Sequence, residues 1–292
     1  MPPRQLELFP AINPLKQLFP REFFRQAPRQ SGVYIMGGEQ EKILYVGKAK
    51  NLRQRLGSYR YAHRGASSKT SRLLKAVRTI TWELYSSEEE ALLRENQLLR
   101  LHKPRFNAVN TRPEFYPFVA MQKSPAKVLL RLTTCGVALP NELLFGAFKG
   151  IYRTRAAFAG LARSLWAFER GALWPEFPSR LIRARGPDRI MLDLDRPAPL
   201  RDLVPALETF FAGRSDELIR WFSENLLTRP GLSAFQRKLH ETDLENLAAF
   251  YRFGAQRNFR LQSQLDLADA TISQNEIDDL LVVATHVPNL AP

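Results

Sequence analysis

Residues 31–56 read SGVYIMGGEQEKILYVGKAKNLRQRL, and this stretch decides the fold of the N-terminal part of the chain. The glycine-containing connection GGEQE separates two β-prone runs, SGVYIM and KILYV. Such a pattern predicts an antiparallel hairpin, in which Tyr34 and Tyr45 would lie close to opposite each other. Asn51 then offers a side-chain acceptor that would begin a basic helix through LRQRLGSYR.

A second basic helix near SKTSRLLKAVR, a third strand at TITWELY and a longer helix are predicted downstream. The longer helix would have Ser87 at its N-cap in a capping box, and Pro104 would end it. Its apolar residues recur at helical spacing, and Glu95 and His102 fall on the same face. Because an unpaired buried charge is costly, we expect Glu95 to pair with a cation, to accept hydrogen bonds or to bind a metal ion.

The chain has 292 residues, which suggests about two domains. We expect a proline-interrupted, irregular lead-in at 1–30, a small domain at 31–123, a connecting region at 124–195 and a mainly helical domain at 196–292. The last of these contains the mostly helical, mixed-charge stretch 232–265.

Positive charge is concentrated in the first half of the chain. The net charge is +14, and residues 1–123 hold 22 basic and 10 acidic side chains, whereas the remainder is nearly neutral. From Lys42 to Arg78 there are 11 basic residues and no acidic one. A uniformly basic surface or an affinity for anionic membranes would give a similar total, but neither explains this confinement. The pattern favours nucleic acid as the partner.

Composition excludes several classes of protein. The single cysteine, Cys135, allows no internal disulfide and no cysteine-only metal cluster, and we expect it to be a small buried side chain. The sequence has no apolar run of 18 residues, and its start lacks the pattern of a signal peptide, so we expect a cytoplasmic protein. Residues 1–187 contain no aspartate, which argues against a two-metal site built from several aspartates.

The tripeptides GVY at 32–34 and YVG at 45–47, continued by KAKNLRQRL, resemble the paired motif of the GIY-YIG nucleases. The resemblance extends in order and spacing through ALLRENQLL, KPRFN and EFYPF, and it covers about residues 31–120. Within that family the sequence resembles the bacterial excision-repair nuclease UvrC and its shorter relative Cho. The resemblance implies a small α/β domain of the α+β type, with a short central antiparallel sheet flanked by helices. It also implies hydrolysis of DNA phosphodiesters with one divalent cation, Mg²⁺ or Mn²⁺.

The resemblance assigns electrostatic roles to three matched positions. Glu95 would bind the metal ion. Arg55 would contact the scissile phosphate, a role that suits a permanently charged planar donor. Lys48 would add a second cation. Hydrolysis of a phosphodiester needs such stabilisation of the charge that develops on its oxygens.

Three further positions complete the expected site. Tyr45 matches the residue proposed as general base, although an ordinary phenol pKa of about 10 requires help from neighbouring cations at neutral pH. Tyr34 would orient water or phosphate, and Asn107 would organise the site through its side-chain amide. We further expect a group of basic residues to bind the DNA backbone: Lys50, Arg53, Arg60, Arg64, Lys69 and Arg72.

The resemblance is thinner in the second half. Residues 155–195 lack the cysteine cluster of UvrC, so no iron–sulfur cluster is expected. Residues 236–262 vaguely resemble the helical hairpin through which UvrC meets UvrB, and a generic amphipathic helix pair explains them equally well. The chain is therefore expected to be closer to Cho than to full UvrC, with DNA and a UvrB-like loading protein as partners.

The expected function is a metal-dependent DNA endonuclease of nucleotide excision repair that cuts on the 3′ side of a lesion. One alternative is a GIY-YIG nuclease of a mobile element or restriction system, which would cut undamaged DNA without a repair partner. The other alternative is a catalytically inactive DNA-binding relative that retains the fold.

Overall fold

The computed structural model describes residues 13–61, 67–170, 181, 186–195, 200–267 and 271–286. The chain divides into two compact units, residues 1–112 and 113–292. This boundary precedes the expected end of the first domain at residue 123, because the strand that follows it pairs within the sheet of the second unit. None of the described helices is long and apolar enough to cross a membrane.

The first unit contains a three-stranded antiparallel sheet. Its strands are β1 (Gly32–Gly37), β2 (Ile43–Ala49) and β3 (Thr79–Leu84), in the order β2-β1-β3. The predicted hairpin and third strand are therefore confirmed. Since β2 is an edge strand, one side of its backbone is open to partners other than a strand of this sheet.

Among the described residues of this unit, five α-helices accompany the sheet. They are α1 (Pro14–Leu18), α2 (Arg21–Gln26), α3 (Leu52–Tyr61), α4 (Ser68–Ala76) and α5 (Glu88–His102). The expected irregular lead-in thus contains two short helices where it is described. The first of them, α1, is anchored by Asn13, whose amide accepts from the Leu15 N–H at 3.0 Å and donates to the Tyr59 carbonyl at 2.8 Å. The hydrogen bond to Tyr59 joins residues 46 positions apart, so the local sequence around Asn13 does not predict it.

Helix α5 begins and ends where the sequence predicts. Ser87 accepts from the Glu90 N–H at 3.0 Å, and the helix ends at His102, before Pro104. In a complete capping box the Glu90 carboxylate would accept from the Ser87 N–H. Here it accepts instead from the N–H and the hydroxyl of the preceding residue, Ser86. The placement of His102 on the apolar face is wrong: it is exposed, because the buried residues of α5 end one turn earlier.

Alternate residues of β1 face opposite sides of the sheet, as in any strand. Tyr34 and Met36 pack with leucines of α3 and α4, whereas Val33 packs with apolar residues of α5. The sheet is thereby covered by helices on both faces. This arrangement directs α5, and Glu95 with it, toward β1 and β2.

The second unit has an antiparallel sheet that the sequence analysis did not predict. Its strands are β4 (Phe118–Lys123), β5 (Lys127–Thr133), β6 (Glu142–Phe145) and β7 (Arg189–Asp193), in the order β6-β4-β5-β7. The expected connecting region thus supplies three of these strands. Its exposed Cys135 corrects the expectation of a buried cysteine, since this side chain lies between β5 and β6 and not in the core.

Helices predominate in the rest of the second unit, as predicted. They are α6 (Ile151–Arg170), α7 (Leu203–Phe211), α8 (Glu217–Phe222), α9 (Ala234–Phe250), α10 (Gln256–Gln264) and α11 (Ile277–His286). A π-helical turn, Tyr251–Ala255, joins α9 to α10. Helix α6 packs along α9, where Arg163 binds the fully buried carboxylate of Asp243 with N···O distances of 2.5 and 2.9 Å.

Candidate active site

The sheet of the first unit brings two tyrosines side by side. Tyr34 on β1 pairs with Gly47 on β2, and Tyr45 pairs with Met36, so the two tyrosines are diagonal neighbours and not directly opposite. Their ring centroids are 6.0 Å apart. A Cβ atom at Gly47 would lie 2.5 Å from the Tyr34 hydroxyl and 2.9 Å from the Tyr45 ring. The glycine of YVG is therefore required by the two rings that lie over it.

Helix α3 adds an arginine and a third tyrosine to this pair. Arg55 donates from Nε to the Tyr34 hydroxyl and from Nη2 to the Tyr59 hydroxyl, both at 3.1 Å. The two hydroxyls are themselves 2.9 Å apart. Tyr59 was not among the residues expected in the site. Its signal in the sequence is its position four residues after Arg55, which places both on one face of a helix.

The protonation of these phenols follows from their surroundings. Burial raises the pKa of Tyr34 far above its ordinary value. Burial, with a contribution from Tyr45, raises the pKa of Tyr59 to about 12. Both hydroxyls are therefore neutral at pH 7 and act as hydrogen-bonding groups that hold the Arg55 guanidinium in place.

Glu95 faces the sheet, as its place on the apolar side of α5 predicts. Its Oε1 atom accepts from the backbone N–H of Lys48 at 3.2 Å. Burial raises the pKa of Glu95, against the opposing effects of that N–H and of the Lys48 and Arg55 charges. In the part of the chain that the structure describes, no group of three or more histidine, cysteine or acidic residues is placed to hold a metal ion. Glu95 is thus a partly desolvated carboxylate that belongs to no such group in the described region.

The Lys48 ammonium is paired with a different carboxylate. Glu88, two helical turns before Glu95, forms ion pairs with Lys48 and with Lys50, the latter at 2.7 Å. Hydrogen bonds from these two lysines lower the pKa of Glu88 to about 2. Glu88 was not expected in the site, although its spacing of seven residues from Glu95 places the two carboxylates along one side of α5.

Asn107 binds the open edge of β2. Its Nδ2 donates to the Val46 carbonyl at 2.8 Å, and its Oδ1 accepts from the Val46 N–H at 3.0 Å. The preceding residue, Phe106, donates its backbone N–H to the Leu44 carbonyl of the same strand at 3.0 Å, which holds this segment beside β2. The amide therefore replaces a neighbouring strand at the residue between Tyr45 and Gly47.

The basic residues expected to bind DNA differ in their surroundings. Arg53 and Arg60 donate to the carbonyls of Ala27 and Phe19, at 2.7 and 3.3 Å. Lys50 is ion-paired as described above, and Arg64 lies outside the described residues. On α4, exposed basic side chains are presented by Lys69 and Arg72.

Six expected site residues thus lie in one unit and are connected through β2. Tyr34 and Arg55 are hydrogen-bonded, and Glu95 and Asn107 each bind a backbone group of this strand, at Lys48 and Val46. Tyr45 stands between these contacts, half-buried beside the Tyr34 ring. The structure adds Tyr59 and Glu88 to the set.

Comparison with known proteins gives matches for this part of the chain. Residues 30–108 match the family model described as the UvrC-like GIY-YIG domain. UvrABC system protein C of Desulfotalea psychrophila is 36% identical over 104 residues, which are 36% of this chain and 17% of that protein. The same protein of Protochlamydia amoebophila is 36% identical over 129 residues, 44% of this chain and 21% of that protein. The match therefore spans about a fifth of the length of these relatives.

A solved structure also matches. The magnesium-bound GIY-YIG N-terminal endonuclease domain of UvrC from Thermotoga maritima is 30% identical. The match covers 30% of this chain and 94% of that domain, with a TM-score of 0.27. Together with the motif residues on β1 and β2, the family match identifies residues 30–108 as a UvrC-like GIY-YIG domain.

Proposed function

We propose that this protein is a metal-dependent DNA endonuclease of nucleotide excision repair that cuts on the 3′ side of a lesion. The observation that carries the proposal is the arrangement of Arg55, held by two neutral tyrosines, in the same unit as the partly buried carboxylate of Glu95. The names of the relatives, UvrABC system protein C, support a role in excision repair. DNA is the proposed substrate, a UvrB-like loading protein the proposed partner and the bacterial cytoplasm the proposed location.

A divalent cation, Mg²⁺ or Mn²⁺, is proposed as the cofactor, with Glu95 as its protein ligand. The carboxylate fits this role because burial disfavours its charge and the described ion pairs leave it without a cationic partner. Mg²⁺ is commonly bound by one or two carboxylates together with substrate phosphates and water, so the absence of a larger acidic cluster among the described residues does not conflict with it. When bound, the cation would stabilise the charge on the phosphate and the departing 3′ oxygen.

The other residues would position the phosphate and move the proton. Arg55, preoriented by Tyr34 and Tyr59, would bind the nonbridging oxygens of the scissile phosphate. Tyr34 is fully buried, so its proposed role is to orient Arg55 and not to contact water directly. Tyr45 is the half-buried phenol of the three and remains the proposed general base. Asn107 would fix Tyr45 through the backbone of β2.

The first test is a nicking assay on a duplex with one bulky lesion and on its undamaged twin. The purified protein is supplied with Mg²⁺ or Mn²⁺, with and without UvrA and UvrB. We expect a cut on the 3′ side of the lesion that depends on the loading proteins. Site-specific cutting of the undamaged duplex by the protein alone would contradict the repair assignment.

The second test removes the carboxylate. Glu95→Gln should reduce nicking by at least about 100-fold while DNA affinity is unchanged, since the loss concerns charge stabilisation in the reaction. Glu89→Gln, on the same helix, serves as the control for the loss of one negative charge. Equal nicking by the Glu95 variant and the wild type would remove Glu95 from the mechanism.

A further inference from the structure

The second unit contains a groove that the proposed nuclease site does not use. It has a volume of about 1,030 Å³ and lies on the surface formed by α8, α9, the π-helical turn, α10 and α11. Apolar and basic side chains line it, together with one acidic side chain, Asp216. They include Tyr251, Phe253 and Leu281 together with Arg252, Arg257 and Arg260.

Arg257 is a cation for which the described residues supply no anionic partner. Its Nε is buried without a hydrogen bond in the described structure, and its Nη2 donates to the neutral amide oxygen of Asn258 at 3.2 Å. Asp278 is near enough to affect it, but that carboxylate is bound by Lys149 at 2.7 Å and by the Tyr116 hydroxyl at 3.1 Å. Burial, with the Arg153 charge, lowers the Arg257 pKa to about 10. Arg257 therefore remains charged at pH 7 at a desolvation cost that an anionic ligand would offset.

Phe253 presents an aromatic face in the same groove. Its side chain is 46% exposed, although it is a large apolar residue. The guanidinium carbons of Arg153 and Arg252 lie 5.0 and 5.2 Å from its ring centroid. A partly exposed ring with guanidinium groups over it is a combination that binds unpaired nucleotides, because a base stacks on the exposed part of the ring while the phosphates meet the cations.

We propose that this groove binds a segment of single-stranded nucleic acid, with a base stacked on Phe253 and the adjoining phosphate at Arg257. The volume exceeds what a single phosphate ion needs and is in the range of sites for larger ligands. An acidic peptide would satisfy the arginines but would not require the exposed ring. The proposal goes beyond the nuclease function and does not depend on it.

Fluorescence anisotropy with a labelled eight-nucleotide oligothymidine tests the proposal on the full chain. EDTA in the buffer prevents metal-dependent cleavage. Arg257→Gln and Phe253→Leu should each weaken binding about tenfold. Arg189→Gln removes the same charge from an exposed position on β7 and should change affinity less than twofold. Binding by the Arg257 and Phe253 variants equal to that of the control would overturn the proposal.

A tryptophan at the stacking position provides a local readout. Phe253→Trp should keep wild-type affinity, and the oligonucleotide should quench its added emission relative to the wild type. Wild-type affinity without quenching would refute stacking at this ring. Because Arg257 has no described ion pair to lose and its charge is desolvated, its replacement should leave the circular dichroism spectrum unchanged and should not lower the Tm, so weaker binding reports on the groove.

Competition identifies the class of ligand. Unlabelled oligothymidine should displace the probe, whereas inorganic phosphate and polyglutamate at the same anion concentration should displace it at least about tenfold less well. Equal displacement by phosphate would indicate a simple anion site, and equal displacement by polyglutamate would indicate an acidic protein ligand. Either result would overturn the nucleic-acid proposal. Nicking activity does not enter this test, so its outcome is separate from that of the proposed function.

Discussion

The contact between Asn107 and Val46 leads to the sharpest prediction for the first unit. Asn107→Ala removes two hydrogen bonds, of 2.8 and 3.0 Å, from the backbone of an edge strand. At about 1 kcal/mol for each neutral bond, the free energy of unfolding of this unit should fall by about 2 kcal/mol. For a unit of this size, that corresponds to a decrease in Tm of roughly 10 °C. Because Tyr45 and Gly47 flank Val46, nicking should fall as well.

Urea unfolding of the full chain, followed by hydrogen exchange of peptides from β1 and β2, reports on the first unit. The Val46 amide should exchange faster in Asn107→Ala than in the wild type, because it loses its acceptor. A change in unfolding free energy below about 0.5 kcal/mol, with unchanged exchange at Val46, would refute the idea that this amide replaces a strand.

Asn107→Asp gives the same prediction a dependence on pH. The new carboxylate keeps an acceptor for the Val46 N–H but faces the Val46 carbonyl oxygen, so the native state favours its protonated form. Its folded pKa is therefore raised above the unfolded value of about 3.9. The stability contributed by the protonated form is present below the unfolded pKa and lost as pH rises through the folded pKa. The Asp variant should approach wild-type stability as pH falls below about 3.9, whereas the Ala variant should not recover.

Three further predictions concern stability. Burial raises the pKa of Glu95 in the folded state, so the stability that its protonated form contributes is lost as pH rises through that pKa. Glu95→Gln should therefore stabilise the metal-free protein against urea at pH 7 but not at pH 4. Gly47→Ala should lower the free energy of unfolding, measured by thermal unfolding, by about 1–3 kcal/mol, because the new Cβ would lie 2.5 Å from the buried Tyr34 hydroxyl. Gly57→Ala is the control, since a Cβ there would meet nothing within 4 Å, and it should not destabilise the protein. Asp243→Asn leaves Arg163 without its buried carboxylate and should cost about 3–5 kcal/mol in urea unfolding, with replacement of both residues by apolar ones less harmful.

The local pattern of the sequence was sufficient for most of the first unit. The hairpin, the third strand, the basic helices and the N-cap of α5 follow from alternation, turn residues and capping signals, which act over a few residues. The unpredicted sheet of the second unit shows the limit of that reasoning. Its strands β4 and β7 lie far apart in sequence, on either side of α6, and no local signal states that they belong to one sheet.

The site shows the same division. The sequence by itself predicted which residues would form the site, because the spacing of GVY, YVG, Arg55, Glu95 and Asn107 resembles that of a known family. Only the tertiary structure decided what each side chain binds. Tyr59 joins Tyr34 through Arg55, Glu88 pairs with two lysines of the β2 end, and the Asn107 amide occupies a strand edge.

The physical reason is the range of the interactions. Helix and strand formation depends on neighbours a few residues apart, whereas the hydrogen bonds that join different elements in the site connect residues 21 to 61 positions apart along the chain. The groove around Arg257 is the extreme case. Residues 236–262 have the pattern of a generic amphipathic helix pair, and only the packing of the folded chain leaves the Arg257 Nε buried without a hydrogen bond in the described structure.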